Sequence, residues 1–368
     1  MNSQKKNINP RLERTLDVLE ARAKILKNLA DYGVIWDDKA QKLIVANFRE
    51  TQKKLAQVTN LSGLKFEKQV KPYLAKPQEI DILKVKPYLV PVQDDYTSKI
   101  WSYALTNWSV PVSAGYGRRL RFLVFDKQNK KLIGVFGLCD PLIGSVIRDN
   151  FIGWNREQKL ERLYNCLTAY VLGAVPPYNK ILGSKLVALT TMFPEVRKVF
   201  REKYKNNQTV ISGKNKLPEL AFIDTYGAFQ KSAIYTKLLN WKFVDYTKGQ
   251  SHIHLTANGS WETVKKFVSE ERFDTYKYGQ GSNWKLRTLR VGLENLGFDE
   301  ELLSIGWKRA YYVCPLAKNW QEFLTMKDKK PKFLEYDEKY LINEWRTRWV
   351  NDRLENLQTK LNESTEII

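Results

Sequence analysis

The sequence predicts a mixed α/β protein with helical additions at both ends, on three observations. Short β-rich runs alternate with helix-period segments between Arg119 and Tyr246. A helix-period segment precedes them from Pro10 to Ala30, and a charged one follows from Lys339 to Leu361. With 368 residues, 43% of them apolar, the chain can bury a large core and has the length of two domains, three at most.

From Pro10 to Ala30 the residues Leu12, Leu16, Leu19, Ala23, Leu26 and Leu29 recur at three- and four-residue steps, which puts them on one helix face opposite lysines and arginines. Pro72, Pro77, Pro87 and Pro91 interrupt any regular pattern between Leu61 and Pro91, so this stretch reads as a connector over the surface of the main domain, with a boundary near Val90. Arg119–Phe125 and Leu132–Leu138 flank the polar, turn-forming 126–131 segment and predict an antiparallel hairpin. Leu160, Leu163, Leu167 and Val171 predict a helix over Arg156–Leu172, stopped by Gly173 and Pro176-Pro177. A second helix is expected over Leu182–Phe200, then a strand at Ala221–Asp224, a short helix at Lys231–Leu239 and a strand at Trp241–Tyr246. Helices at Trp261–Phe267 and Trp284–Asn295, a strand at Ala310–Cys314 and a charged terminal helix at Lys339–Leu361 complete the chain. The expected division is a basic helical region with a proline-rich connector (1–90), an α/β core (91–260) and a mixed extension (261–368). The sequence has no internal repeat and no low-complexity tract.

The formal net charge is +21 and the sequence pI about 9.6, so polyanions, and nucleic acid first among them, are the expected partners. Eleven Trp, 19 Tyr and a mean hydropathy of −0.47 exclude a disordered basic tail and a collagen-like chain. Cys139, Cys166 and Cys314 are scattered singly, which excludes a disulfide framework and a zinc ribbon. The polar start lacks the apolar stretch of a signal peptide and no run approaches a bilayer span, so no membrane association and a cytoplasmic location are expected.

Five groups of residues could carry chemistry. His252 and His254 alternate along an apparent strand and would not grip one metal together, which leaves hydrogen-bonded or solvent-facing roles, or contact with a phosphate. Asp140, Asp149 and Asp224 fall at ends of predicted elements, where carboxylates could converge on the divalent ions, such as Mg²⁺, of a nuclease or transposase; the spacing does not single that out, since Asp140 before Pro141 is a common turn former and Asp149 could pair with Arg148 or cap a turn. The segment from Tyr178 through Lys180, Gly183 and Ser184 to Lys185 opens a helix after a Pro-Pro turn. Its free amides and Lys185 could cradle a phosphate, or Gly183 could simply be close-packed. The glycine-rich turn from Gly279 to Asn283 leads into a helix with Trp284, Lys285, Arg287 and Arg290, and Arg118, Arg119 and Arg121 follow Gly115 and Gly117. Both are basic clusters suited to a DNA or RNA backbone, and each alone is also explained as a solvated charged surface; the charge surplus tilts both toward nucleic acid.

Several segments together resemble a known family. Gly137 to Pro141, Arg148 to Trp154, Val171 to Asn179, Leu182 to Leu189, Lys231 to Tyr235, Tyr278 to Trp284 and Trp345 to Trp349 occur in order over about residues 95–353 and look like the DruA family of the Druantia anti-phage defence system. The resemblance implies a defence component working with partner proteins such as a helicase. Related domains accompany some transposases, which implies a nucleic-acid setting.

A remoter likeness is to the GNAT acyltransferase fold, through the Arg119–Leu138 hairpin, the loop into the Gly183 helix, the strand ending at Asp224 and the stretch from Ala233 to Phe243. That likeness implies an acetyl-CoA pyrophosphate held by a Gln/Arg-x-x-Gly-x-Gly/Ala loop, here Lys180, Gly183, Ser184 and Lys185, and Tyr235 as the acid for the thiolate. Lys180 stands where the pattern has Gln or Arg, and Lys185 where it has a small residue. Three functions are thus expected in order: a DNA-engaging defence component, an acyl-CoA-dependent acyltransferase, and a metal-dependent nuclease or transposase relative.

Overall fold

The computed structural model describes residues 10–39, 41–113, 115, 117–208, 213–247, 253–256, 259–272, 284–303, 305 and 308–366. The chain forms two units: residues 1–51 with 247–308, and 52–246 with 309–368. The division therefore does not follow the expected boundary near Val90 or the expected third segment. Two of the three boundaries between the units fall where the chain leaves the sheet after Tyr246 and re-enters it at Ala310; the third, between Thr51 and Gln52, lies inside the helix Phe48–Thr59.

The first unit carries the helix Pro10–Asp31, an antiparallel pair of strands β1 (Val34–Asp37) and β2 (Lys42–Val45), and the helices Ile253–Thr256, Ser260–Lys265 and Trp284–Asn295. The long helix buries Ala21, Ile25 and Leu29, whereas Leu16, Leu19 and Leu26 of the expected face are about half exposed. Both stripes have helical spacing, and periodicity cannot tell which one meets the core. Gly297 ends the Trp284–Asn295 helix with φ +69°. The amide of Phe298 donates back to the Leu293 carbonyl (2.9 Å), and Arg22 donates to the Leu296 and Gly297 carbonyls at 2.6 and 2.7 Å. A glycine is wanted there because a side chain in that left-handed turn is strained, and the cation answers the negative end of the helix.

The second unit is a seven-stranded mixed sheet of β3 (Pro87–Pro91), β4 (Arg119–Asp126), β5 (Leu132–Cys139), β6 (Cys166–Ala174), β7 (Phe222–Tyr226), β8 (Lys242–Tyr246) and β9 (Ala310–Pro315), in the order β3-β4-β5-β6-β7-β9-β8. All neighbours are antiparallel except β6 and β7, which run parallel with Cys166 opposite Phe222 and Thr168 opposite Asp224. The expected hairpin is β4–β5. The expected helix over Arg156–Leu172 ends at Arg162, and the rest becomes β6, a central strand. A strand buried on both faces loses its alternation, so its apolar run imitates a helix. The connector expected before Val90 supplies the edge strand β3, whose prolines stand at its two ends. The expected helix at Lys231–Leu239 is irregular turn, and the terminal helix breaks into Glu338–Trp345, a π turn at Arg346–Val350 and a second helix at Leu354–Asn362.

One sheet face packs Phe122, Phe136, Leu167, Ile223 and Tyr312 against the helices Gly183–Thr190, Pro194–Tyr204 and the terminal segment. The other face carries two apolar clusters. Leu123, Val135 and Val171 pack against the helix Asp95–Ala104, and Cys166, Phe222 and Val313 against Ile152 and Phe323. Among the described residues no helix is long and apolar enough to cross a membrane.

Candidate nucleic-acid interface

The helix Trp284–Asn295 turns Thr288, Leu289, Gly292 and Leu293 inward. Gly292 is required by close packing, since a Cβ there would lie 2.4 Å from Val264 Cγ1 and 2.8 Å from the Val264 carbonyl oxygen. That contact sets the other side of the helix outward, where Lys285 and Arg290 are exposed and Arg287 half-buried. The Lys285 ammonium lies 5.6 Å from the centre of the Trp261 ring and 5.7 Å from that of Trp284, and the two indoles meet edge to face at 5.5 Å. A lysine beside two partly exposed indoles combines a phosphate contact with a stacking surface. Arg290 pairs with Glu300 at 2.8 Å, which offsets its charge. Trp261 was missed from the sequence because it comes from a different helix. Asn283 and the glycine turn before it lie outside the described residues, as does His252. His254 lies in a helix, not a strand; its ring is buried and its Nε2 is 2.5 Å from the Leu302 carbonyl oxygen.

Arg118, Arg119 and Arg121 do not form the expected open loop, because β4 begins at Arg119. Arg118 grips Asp140 through Nε and Nη2, both at 2.8 Å, while its backbone N–H donates to the other carboxylate oxygen at 2.9 Å. The guanidinium also covers the Tyr164 ring at 3.9 Å. Gly117, at φ +64°, makes room for this pair, since a Cβ there would fall 2.1 Å from Asp140 Oδ2. Arg121 donates to the Tyr170 hydroxyl (3.1 Å), and Gly137, its partner across the β4–β5 ladder, leaves space for Trp101 and Tyr170. Arg119 donates to the Gly115 carbonyl (3.1 Å), and Lys203 donates to that of Arg119 (3.0 Å). Burial and the charge of Arg121 together lower the Lys203 pKa. Arg121 lies on the sheet face of Trp101 and Tyr170, whereas Lys203, from the helix Pro194–Tyr204 on the other face, reaches the Arg119 backbone carbonyl; all three cations bond neutral oxygens near the start of β4. Lys203 lies 82 positions from Arg121, and no local signal could have joined them.

Asp140 is held apart from Asp149 and Asp224, both of which interact with Arg148. Asp140 is taken by Arg118. Asp149 accepts from Arg148 (2.9 Å), Lys159 (2.6 Å) and the Trp154 indole (3.1 Å). Burial opposes its ionisation, but Lys159 and Arg148 outweigh that and hold its pKa below the ordinary value. Asp224 is completely buried and accepts from the hydroxyls of Thr168 and Tyr311, the latter at 2.8 Å. Burial raises its pKa against the pull of Arg148, itself fully buried and tied to the Leu142 (2.6 Å) and Ile143 (3.2 Å) carbonyls. Arg148, the partner the sequence offers for Asp149, and Tyr311, which it does not single out, bring β7, β9 and the helix Val146–Ile152 into one polar network. Among the described residues no three His, Cys, Asp or Glu side chains form a group able to hold a metal ion. Asp140 is engaged by Arg118, Asp149 by Arg148 and Lys159, and Asp224 by the hydroxyls of Thr168 and Tyr311, so the three carboxylates expected to converge have separate hydrogen-bond partners.

The Gly183 loop is also filled. A Cβ at Gly183 would lie 2.5 Å from the Tyr178 carbonyl oxygen, so its glycine serves close packing, and the Ser184 hydroxyl accepts from the Ala174 amide (3.0 Å). Lys185 points away from any phosphate: its buried ammonium donates to the carbonyls of Ala233 (2.6 Å), Ile234 (3.0 Å) and Thr236 (3.0 Å) and lies 3.8 Å from the Trp349 ring centre. Desolvation, with Arg348 and Arg353 nearby, lowers its pKa to about 8. The Trp345 indole, fully buried, donates to the Leu182 carbonyl (3.3 Å) and covers the loop. Of the loop's polar side chains, Asn179 and Lys180 are exposed. Tyr235 is buried against Trp241 and Tyr312, with burial raising its pKa, so it has no access to a thiolate here.

The sequence matches the profile of the family described as Druantia protein DruA over residues 38–326, well over half its length. The chain belongs to the DruA family. A Druantia protein DruA from Escherichia coli (strain UMEA 4076-1) is 36% identical over 255 residues, 67% of this chain and 63% of that relative, so the match spans less than two thirds of the relative's length. No solved structure matches. The DruA match includes the Arg118–Asp140 pair, the Arg148–Asp224 network and the Lys285 helix; it leaves out the helix Pro10–Asp31 and the terminal segment that covers Gly183.

Proposed function

We propose that this DruA-family chain is a nucleic-acid-binding component of an anti-phage defence system, holding DNA by its phosphate backbone while partner proteins supply motor or nuclease activity. The observation that carries the reading is the exposed Lys285 beside the Trp261–Trp284 pair, in a chain of net charge +21. Arg119, Arg121 and Lys203 near the start of β4 support it as further phosphate contacts. The family supports the defence setting.

The test is binding of the purified protein to labelled single- and double-stranded DNA, and to RNA, across a salt series with and without Mg²⁺. If about six phosphates are contacted, affinity falls roughly a thousandfold between 50 and 200 mM salt, and salt-independent binding would refute the reading. Binding is expected without cleavage in either condition.

The order of elements favours one further reading, a GNAT-like core. The hairpin β4–β5, the crossover bearing the Gly183 loop and the parallel pair β6–β7 follow one another in a single sheet. A fold can outlast an activity. With Lys185 saturated, Tyr235 buried and Trp345 over the loop, acetyl-CoA is expected to leave the melting temperature unchanged. A clear stabilisation without DNA binding would favour the acyltransferase instead.

A further inference from the structure

The helix Pro10–Asp31 has a second apolar stripe that its own unit does not cover. Leu16, Leu19 and Leu26 are 45%, 55% and 51% exposed, and Ala23 and Ala30 on the same stripe are exposed too. Their spacing, 16-19-23-26-30 and preceded by Leu12, alternates steps of three and four, the seam of paired helices rather than the broader stripe of a helix lying on a core. The core-facing stripe of Ala21, Ile25 and Leu29 is already used, so the exposed seam needs an explanation of its own.

We propose that this seam joins two copies of the chain as an antiparallel, two-fold helix pair. The charges beside the seam select both the partner and the direction. In a parallel pair, Ala23 would face Ala23 across an underfilled layer, and Glu13 of one copy would lie two helical repeats away from Lys27 of the other and could not meet it. Run antiparallel, Leu19 fills the space over Ala23 of the second copy and Leu16 meets Leu26. Glu13 then faces Lys27 of the second copy, and by symmetry the pair occurs twice. Glu20 meets its own equivalent near the two-fold axis, one repulsion against two attractions. Glu13 and Lys27 are exposed. Among the described residues Lys27 pairs with Asp31, at 2.9 Å on the same helix, a contact with both side chains well exposed. Arg22 is withdrawn from the interface, since its guanidinium is bound to the Leu296 and Gly297 carbonyls. At about 1.5 Å per residue the helix is roughly 33 Å long, enough for a modest, concentration-dependent association.

The experiment is the solution mass of the full chain, freed of nucleic acid, by light scattering from roughly 1 to 100 µM, the range in which an interface of this size dissociates. Wild type should approach twice its 43.1 kDa at the upper end. Leu19→Glu with Leu26→Glu should stay monomeric at every concentration while melting close to wild type, because both side chains are already half exposed. Glu13→Lys alone and Lys27→Glu alone should each weaken the dimer at least tenfold, and the two together should restore it. A wild type that stays monomeric throughout overturns the proposal and leaves the seam to a different protein. A dimer indifferent to Leu19→Glu and Leu26→Glu overturns it in favour of another surface, and a double reversal that fails to restore the dimer overturns the antiparallel pairing.

Discussion

The two units treat positive charge in opposite ways. In the sheet unit Arg118 and Arg148 are spent inside the protein. One is clamped on Asp140 and laid over Tyr164; the other, fully buried, balances Asp149 and Asp224. Lys185 has likewise been drawn under the terminal segment to bridge three carbonyls. In the helical unit Lys285 stays at the surface between two indoles and rests against their π faces. The contrast teaches that a net charge of +21 forecasts the kind of partner but not which cations are available to meet it.

The sharpest way to break the comparison is to remove a cation from each side. Arg148→Met should destabilise the protein by about 3–5 kcal/mol, because Asp224 and Asp149 would be deprived of the charge that offsets their burial. Thermal or urea unfolding measures it, and a change under about 1 kcal/mol would mean that the network does not hold these elements together. Replacing Lys285, Arg287 and Arg290 together with alanine should leave stability within about 1 kcal/mol of wild type. It should also reduce the logarithmic salt slope of DNA binding by roughly one for each phosphate no longer engaged. Unaltered binding would shift the interface to Arg119, Arg121 and Lys203.

A subtler contrast comes from pH. The folded Lys185 amine, at about 8, is less basic than in the unfolded chain, at 10.5, so between those values the unfolded state holds more protons and stability gains as pH rises. Measured against Lys185→Met at each pH, wild type should therefore gain relative melting temperature from pH 8 to 10.5. A flat difference would show the amine to be ordinary. The smallest effect is expected of Arg290→Ala alone, whose charge Glu300 already offsets and whose removal should change DNA affinity less than Lys285→Ala does.

How much of this was legible in the sequence depended on whether a residue's role is local. The β4–β5 hairpin, the Trp284–Asn295 helix and the strand through Asp224 follow from turn composition and periodicity within about ten residues. β6 was misread because burial on both faces erases the alternation that marks a strand, and β3 because prolines at the ends of an edge strand look like those of a connector. Of the candidate residues, Lys285 and Trp284 share a helix and Arg148 adjoins Asp149, whereas Trp261, Lys203 and Tyr311 matter only through partners distant in the chain.

By itself the sequence determined the α/β class, the basic character, the family and the positions of most helices and strands, because these rest on composition, short-range pattern and motif order. The tertiary structure alone decided what the charged residues do. That Asp140 and Asp149 pair with arginines, that Asp224 accepts from two hydroxyls and that Lys185 donates to three carbonyls depends on which groups the fold brings within about 3 Å of one another. A charge taken out of water must find its counterpart wherever the fold supplies it.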